Sequence, residues 1–183
     1  MTTQDLKRRS LLLGKHLILR DATVDDSEFI LALRTDPRKG KYLSKTDPSI
    51  DEQRNWMRVY SRRLDQAYFI IESRDEQMLG CIRMYNPNKE VFEWGSWVIV
   101  DGAAPFVALE SALLVYQYAT ELGFKRANVD VKQENTTVWR FHETVFGARL
   151  VDEDEHDRFY VVDKDSIDRA LKKHERLLTS RSS

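Results

Sequence analysis

Residues 91–147 alternate two periodicities in a fixed order: strand, short loop of small residues, helix, strand, Asn, helix. Residues 91–100 (VFEWGSWVIV) read as a strand that runs into Asp101-Gly102-Ala103-Ala104-Pro105. A helical pattern opens at Pro105, carries Leu109, Ala112, Leu113 and Tyr116 on its inner face, and ends near Gly123. The next strand is 126–131, and Asn135 leads a helix that stops at Gly147, a residue suited to the left-handed turn that ends helices. At a strand-to-helix junction the first backbone N–H groups of the helix have no partner. The segment 101–106 is therefore a ready anion site.

The rest of the chain supplies partners for this unit. Residues 1–14 read as a loosely held basic arm, 15–178 as one domain, and 179–183 as a disordered Ser-rich tail. Residues 15–20 (KHLILR) alternate as a short strand, and Thr23 opens a helix with Asp25, Asp26 and Glu28 in its first turn and Phe29, Ile30 and Leu33 as its stripe. Residues 35–48 hold Asp-Pro twice and one Gly, so they form a loop, with Tyr42 and the local charges turned toward a substrate. Ser49 and Glu52 have the spacing of a capping box, and the helix they open bears Trp56, Met57, Tyr60 and Leu64 at core spacing. Residues 68–72, 78–85 and 91–100 form an antiparallel meander. Residues 148–151 and 158–162 pair as a hairpin across an acidic turn, before a last helix over 166–178. A meander followed by strand, helix, strand, helix and hairpin gives an α/β (α+β) fold: a mixed, mostly antiparallel central sheet flanked by helices on both faces.

Composition excludes several function classes. The 183 residues suffice for one full core, and 29 Lys and Arg against 30 Asp and Glu leave a net charge of −1. Such a chain has no electrostatic bias toward nucleic acid. The basic clusters at 7–9, 62–63 and 172–173 read as solvated faces. No apolar run approaches the roughly 18 residues of a membrane span, and no cleavable leader is visible, so a cytoplasmic protein is expected. Cys81 stands alone in an apolar alternating run and reads as a buried small hydrophobe. None of His16, His142, His156 and His174 has a partner at metal-ligand spacing, so no metal is expected.

The order of elements and the motifs within them resemble the GNAT superfamily of N-acetyltransferases across nearly the whole chain. That resemblance implies acetyl transfer from acetyl-CoA to an amine. The reaction needs a deprotonated amine, a donor for the developing oxyanion and a proton for the leaving thiolate. In the family the cofactor's pyrophosphate is cradled by a Gly-rich loop bearing Gln or Arg. Here the corresponding loop is shorter, lacks both, and places Asp101 near the phosphates. Ile99, Val100, Gly102, Ala103, Ala104, Pro105 and Phe106 then bind cofactor mostly through backbone, with Pro105 at the first helical position. Asn135 and Phe141 would meet the pantetheine arm, although Asn135 serves equally as a plain N-cap.

Strict alternation along 91–99 puts Val91, Glu93, Gly95, Trp97 and Ile99 on one face and Phe92, Trp94, Ser96 and Val98 on the other. The segment Glu93-Trp94-Gly95-Ser96-Trp97 is similar to one in the ribosomal-protein N-terminal branch, where the Glu acts through water as general base. Glu93 is the candidate base, with Phe92 and Trp94 raising its pKa by desolvation; an ion pair with Arg83 would explain it as well. Seven residues after Asn135, where the family places a thiolate-protonating Tyr, stands His142, as a proton donor or as a structural histidine.

Leu33-Arg34-Thr35-Asp36-Pro37, Trp56, the run 68–71, Gly80, the Trp-Gly-Ser-Trp segment and Phe141-His142-Glu143 also resemble acetyltransferases of nucleotide-linked amino sugars. On that reading Tyr85, Trp94 and Trp97 pack against a sugar or base, and Arg34, Lys41 or Arg83 meets a diphosphate. The acceptor is then a small-molecule amine. The rivals are a peptide N-terminus and a non-catalytic binding module. Trp139 and the last helix offer either homodimer contacts or plain packing.

Overall fold

The computed structural model describes residues 5–7 and 9–178. In chain order it contains β1 (Leu11–Leu13), β2 (Leu17–Asp21), α1 (Ser27–Thr35), α2 (Ile50–Ser61), β3 (Ala67–Ser73), β4 (Met78–Asn88), β5 (Val91–Ile99), α3 (Phe106–Glu121), β6 (Arg126–Lys132), α4 (Thr136–Phe146), β7 (Arg149–Glu153), β8 (Asp157–Asp163) and α5 (Lys164–Lys173). The strands make one sheet in the order β1-β2-β3-β4-β5-β6-β8-β7. Every pairing is antiparallel except β5 with β6. The α3, α4 and α5 helices bury Leu113, Tyr116, Phe146 and Ile167 against one face, while α1 and α2 bury Ile30, Leu33, Met57 and Tyr60 against the other.

Local chemistry fixes the helix ends. Ser49 Oγ accepts the Glu52 N–H at 3.4 Å, and Asp163 accepts that of Ser166 at 2.8 Å. Gly147 closes α4 at φ +61°, a backbone angle that costs glycine little.

Three expectations change. The expected stripe splits: on α2 Met57 and Tyr60 are buried and Trp56 is exposed, while Leu64 lies beyond the helix end at Ser61 and is exposed. The described part of the N-terminal arm is packed, because β1 pairs with β2, Leu6 is buried and its N–H donates to Leu64 O at 2.7 Å. Lys7 lies 3.6 Å over the Tyr60 ring rather than on a solvated face. Residues 1–4, Arg8 and the tail at 179–183 lie outside the described residues.

The third change is in β5. Ser96 and Trp97 together oppose Ile82, between the pairs Arg83↔Gly95 and Cys81↔Val98, and Ser96 has φ +47°. This bulge adds one residue and reverses the alternation after it. Trp97 and Ile99 therefore join Phe92 and Trp94 on the α3 face, and Val98 packs with the α1–α2 core.

Candidate active site

β5 and β6 are joined only as far as Glu93↔Asn128, after which residues 94–99 and 129–132 diverge. Each strand is held by its other neighbour: β4 keeps β5, and β8 pairs with β6 along its length. The gap is a cleft of about 400 Å³. Tyr85, Gly95, Ser96, Asp130, Asn135 and His142 line it from four elements or their caps, and the loop before α2 adds residues 42–45. Asn135 N-caps α4 through its backbone and makes no side-chain cap bond, so its amide is available to the cleft.

His142 is 1% exposed. Burial pushes its pKa down to about 4, so the imidazole is neutral at pH 7 and no imidazolium stands ready to protonate a thiolate. Its Nδ1, Trp94 Nε1 and Tyr116 Oη are buried without hydrogen-bond partners. The Trp94 ring sits 5.1 Å from His142 and 5.6 Å from Tyr116, 2% exposed, and forms part of the cleft wall. Trp97 donates its indole N–H to Ser111 Oγ at 3.2 Å, packs 5.3 Å from Phe141 and lines the cleft. Of the three expected stacking aromatics, Tyr85 alone lies on the opposite, open face of the sheet, where it would meet a Cβ at Gly95 at 3.1 Å. Trp139 is engaged within the chain, its N–H donating to Gln133 O at 3.1 Å and its ring covered by Arg158.

Glu93 does not line the cleft. Its carboxylate accepts from Asn86 Nδ2 at 2.8 Å and belongs to a neighbouring groove with Asn88, Arg126 and Asn128. Phe92 and Trp94 point into the core under α3 and do not shield it from water. No ion pair joins it to Arg83, whose guanidinium donates to Gln66. Two carboxylates line the cleft: Asp157, paired with Lys132 at 2.7 Å, and Asp130 on β6. Desolvation raises its pKa, and the charges of Glu93 and Asp157 raise it further.

At the junction between β5 and α3, Gly102 turns the chain at φ +76° and Pro105 is the N-cap, one residue earlier than the first helical position expected for it. No side chain caps α3; the Val107 N–H already donates to Ala104 O at 3.0 Å, and the helix start offers its remaining N–H groups to an anion. Ala103 and Ile99 are half-buried against the core, Val100 packs with the α1–α2 core, and Phe106 is exposed beside His16. Asp101 does not stand unopposed. Lys39 reaches it at 2.9 Å and Ile99 O at 2.7 Å, and Arg38 also pairs with it. These cations hold its carboxyl below the usual range.

Beside the cleft lies a second cavity, of about 490 Å³, lined by Arg34, Trp56, Tyr68 and Arg83. Arg34 donates to Thr46 Oγ1 at 2.8 Å, Ser44 Oγ at 2.9 Å and Ser96 Oγ at 3.0 Å. Among the described residues neither Arg34 nor Arg83 forms an ion pair with a carboxylate.

Residues 16–145 match the family model of the acetyltransferase (GNAT) domain. The chain belongs to the GNAT acetyltransferase family. FdhC, a nucleotide-linked sugar GNAT solved in its apo form, is 31% identical over 92% of this chain and 98% of its own, with a TM-score of 0.82. A GCN5-related N-acetyltransferase from Brucella melitensis (18% identity, 91% and 85% covered, TM-score 0.74) and a point mutant of the spermidine N-acetyltransferase SpeG from Vibrio cholerae (15%, 83% and 96%, TM-score 0.71) share the fold. No curated protein sequence matches the chain.

GNAT acetyltransferases use acetyl-CoA as co-substrate, and the junction here has a helix start with no side-chain cap beside Lys39 and Arg38, both of them paired with Asp101. Among the described residues no helix is long and apolar enough to cross a membrane, and no three His, Cys, Asp or Glu side chains are grouped to hold a metal. The residues beside these cavities that sequence patterns missed are Asp130 and Lys39. Each lies on an element whose pattern reads as ordinary strand or loop, and only the pairing of distant segments brings it to the site.

Proposed function

We propose that this GNAT enzyme acetylates the primary amine of a small molecule, a nucleotide-linked amino sugar, with acetyl-CoA as donor. The observation that carries the acceptor choice is the bounded cleft of about 400 Å³, flanked by arginines that have no ion-paired carboxylate instead of the open acidic groove a basic peptide would need. The 31% identity to a nucleotide-linked sugar GNAT supports the same reading.

Acetyl-CoA, when bound, supplies an activated thioester. The α3 start, Gly102 to Pro105 and the Lys39–Arg38 pair hold its phosphates; the ends of β5 and α4, through Ile99, Val100, Asn135 and Phe141, flank its arm. The acceptor amine enters the cleft beside Tyr85 and Gly95. Asp130 takes its ammonium proton, which a carboxylate of raised pKa does better than an ordinary one. Glu93, at the next position along the same face, sustains that basicity by its charge. Transfer would bond the neutral amine to the acetyl carbon and break the C–S bond, with the second proton that the nitrogen sheds on becoming an amide passing to the leaving thiolate. His142 remains neutral and orients the cleft wall, consistent with its burial.

The test is acetylation by the purified protein of thymidine- or uridine-diphosphate amino sugars, free amino sugars and basic N-terminal peptides, followed by thiol release. Turnover confined to the sugar nucleotides is expected. Turnover on peptides alone would reverse the reading.

A further inference from the structure

We infer that the two cavities form one bipartite acceptor site, with the amino sugar in the cleft and the nucleoside diphosphate in the neighbouring cavity, its phosphates held by Arg34 and Arg83. This rests on the acceptor reading above and adds a location and a recognition mode for the nucleotide.

Five observations carry it. The cavities share Ser44 and Lys45 in their walls, so they adjoin. Both arginines stand in the partition. Arg34 bonds Ser96, a cleft residue, at 3.0 Å, and the Arg83 guanidinium lies between the rings of Tyr85, in the cleft, at 4.9 Å and Trp56, in the second cavity, at 5.1 Å. Arg83 Nε is buried with no partner. Two guanidinium groups held together without an ion-paired carboxylate are costly unless an anion joins them, and the planar fork of arginine fits phosphate oxygens in pairs. The carboxylates of this cavity, Asp47 and Glu52, are exposed at its rim, so the cations lie deeper than the acids. Finally, Trp56 is 37% exposed on a helix whose other stripe residues Met57 and Tyr60 are buried. Its open edge, with exposed Val59 nearby, gives a base an apolar wall.

The measurement is calorimetric titration of the whole chain with thymidine diphosphate and uridine diphosphate at saturating CoA, so that the cofactor site cannot account for the heat. Inorganic pyrophosphate and thymidine separate the phosphate from the base contribution. Arg34→Met and Arg83→Met should weaken nucleoside diphosphate binding by about ten- to a hundredfold, and Trp56→Ala by about tenfold, with the pyrophosphate arm unaffected by Trp56→Ala. In turnover, the KM for the sugar nucleotide should rise in all three. Trp56→Ala removes an exposed side chain and keeps the test usable should an arginine variant fail to fold. Absence of nucleoside diphosphate binding to CoA-saturated protein would overturn the inference. So would sugar-nucleotide turnover with unchanged KM in the variants. Tight, variant-sensitive nucleoside diphosphate binding without acetylation of any sugar nucleotide would keep this site and overturn the acceptor reading instead.

Discussion

His142 shows how burial sets the use of a side chain. With the folded pKa at about 4 against the ordinary 6.5, the unfolded chain takes up a proton between these values that the fold refuses. Stability is complete above pH 6.5 and falls as the pH drops through that window, by up to about 3 kcal/mol. His142→Phe should flatten the difference in denaturant midpoint between pH 7 and pH 5; an unchanged difference would place the titration elsewhere. Asp130 is displaced in the opposite direction, first by desolvation and then by Glu93. Asp130→Asn should cut kcat by about a hundredfold or more, as loss of a general base does. Glu93→Gln should retain most of the rate but move the acidic limb of the pH–kcat profile to lower pH, because one of the charges raising the Asp130 pKa is gone. A large rate loss with no shift in that limb would return the base role to Glu93.

At the scale of elements, two junctions position the site. The loop after α1 clasps the start of α3 through Lys39 and Arg38 on Asp101. Lys39→Met leaves Asp101 facing the cofactor phosphates less well neutralised and should raise the acetyl-CoA Kd by about three- to tenfold, an effect that Asp101→Asn should largely relieve in the double variant. Titration of the four proteins of that cycle checks this, and additive effects would deny the clasp. The second junction ties β2 to α3. Glu110 is 0% exposed and accepts the N–H of His16 at 2.7 Å and of Leu17 at 2.9 Å, and it pairs with His16 Nδ1 at 2.8 Å. Glu110→Ala strands two backbone donors and should lower unfolding stability by about 3 kcal/mol, read from chemical denaturation. Gly14 is held to glycine here, because a Cβ would lie 2.2 Å from Glu110 Oε1.

For the whole molecule, the splay of β5 and β6 makes one bounded cleft, and its size should make kcat/KM for a sugar nucleotide exceed that for a basic peptide by about a hundredfold or more, measured side by side. The meander, the helix caps at Ser49 and Gly147 and the α3 junction are legible in the chain, because each follows from periodicity or from one residue's backbone preference within a few positions. The family follows from the order of these elements. What local patterns could not show was the bulge at Ser96, since strict alternation is the default for a strand and only the register against Ile82 reveals the extra residue. That single residue moves Trp97 to the α3 face, where it lines the cleft. Likewise Glu93 faces outward beside Asn86, Asp130 supplies a cleft carboxylate, and Lys39 and Arg38 neutralise Asp101 from a distant loop. The sequence determined the elements and their order, because these depend on neighbours along the chain. Only the tertiary structure decided which side chains share the cleft and in what protonation state, because desolvation and charge depend on neighbours in space.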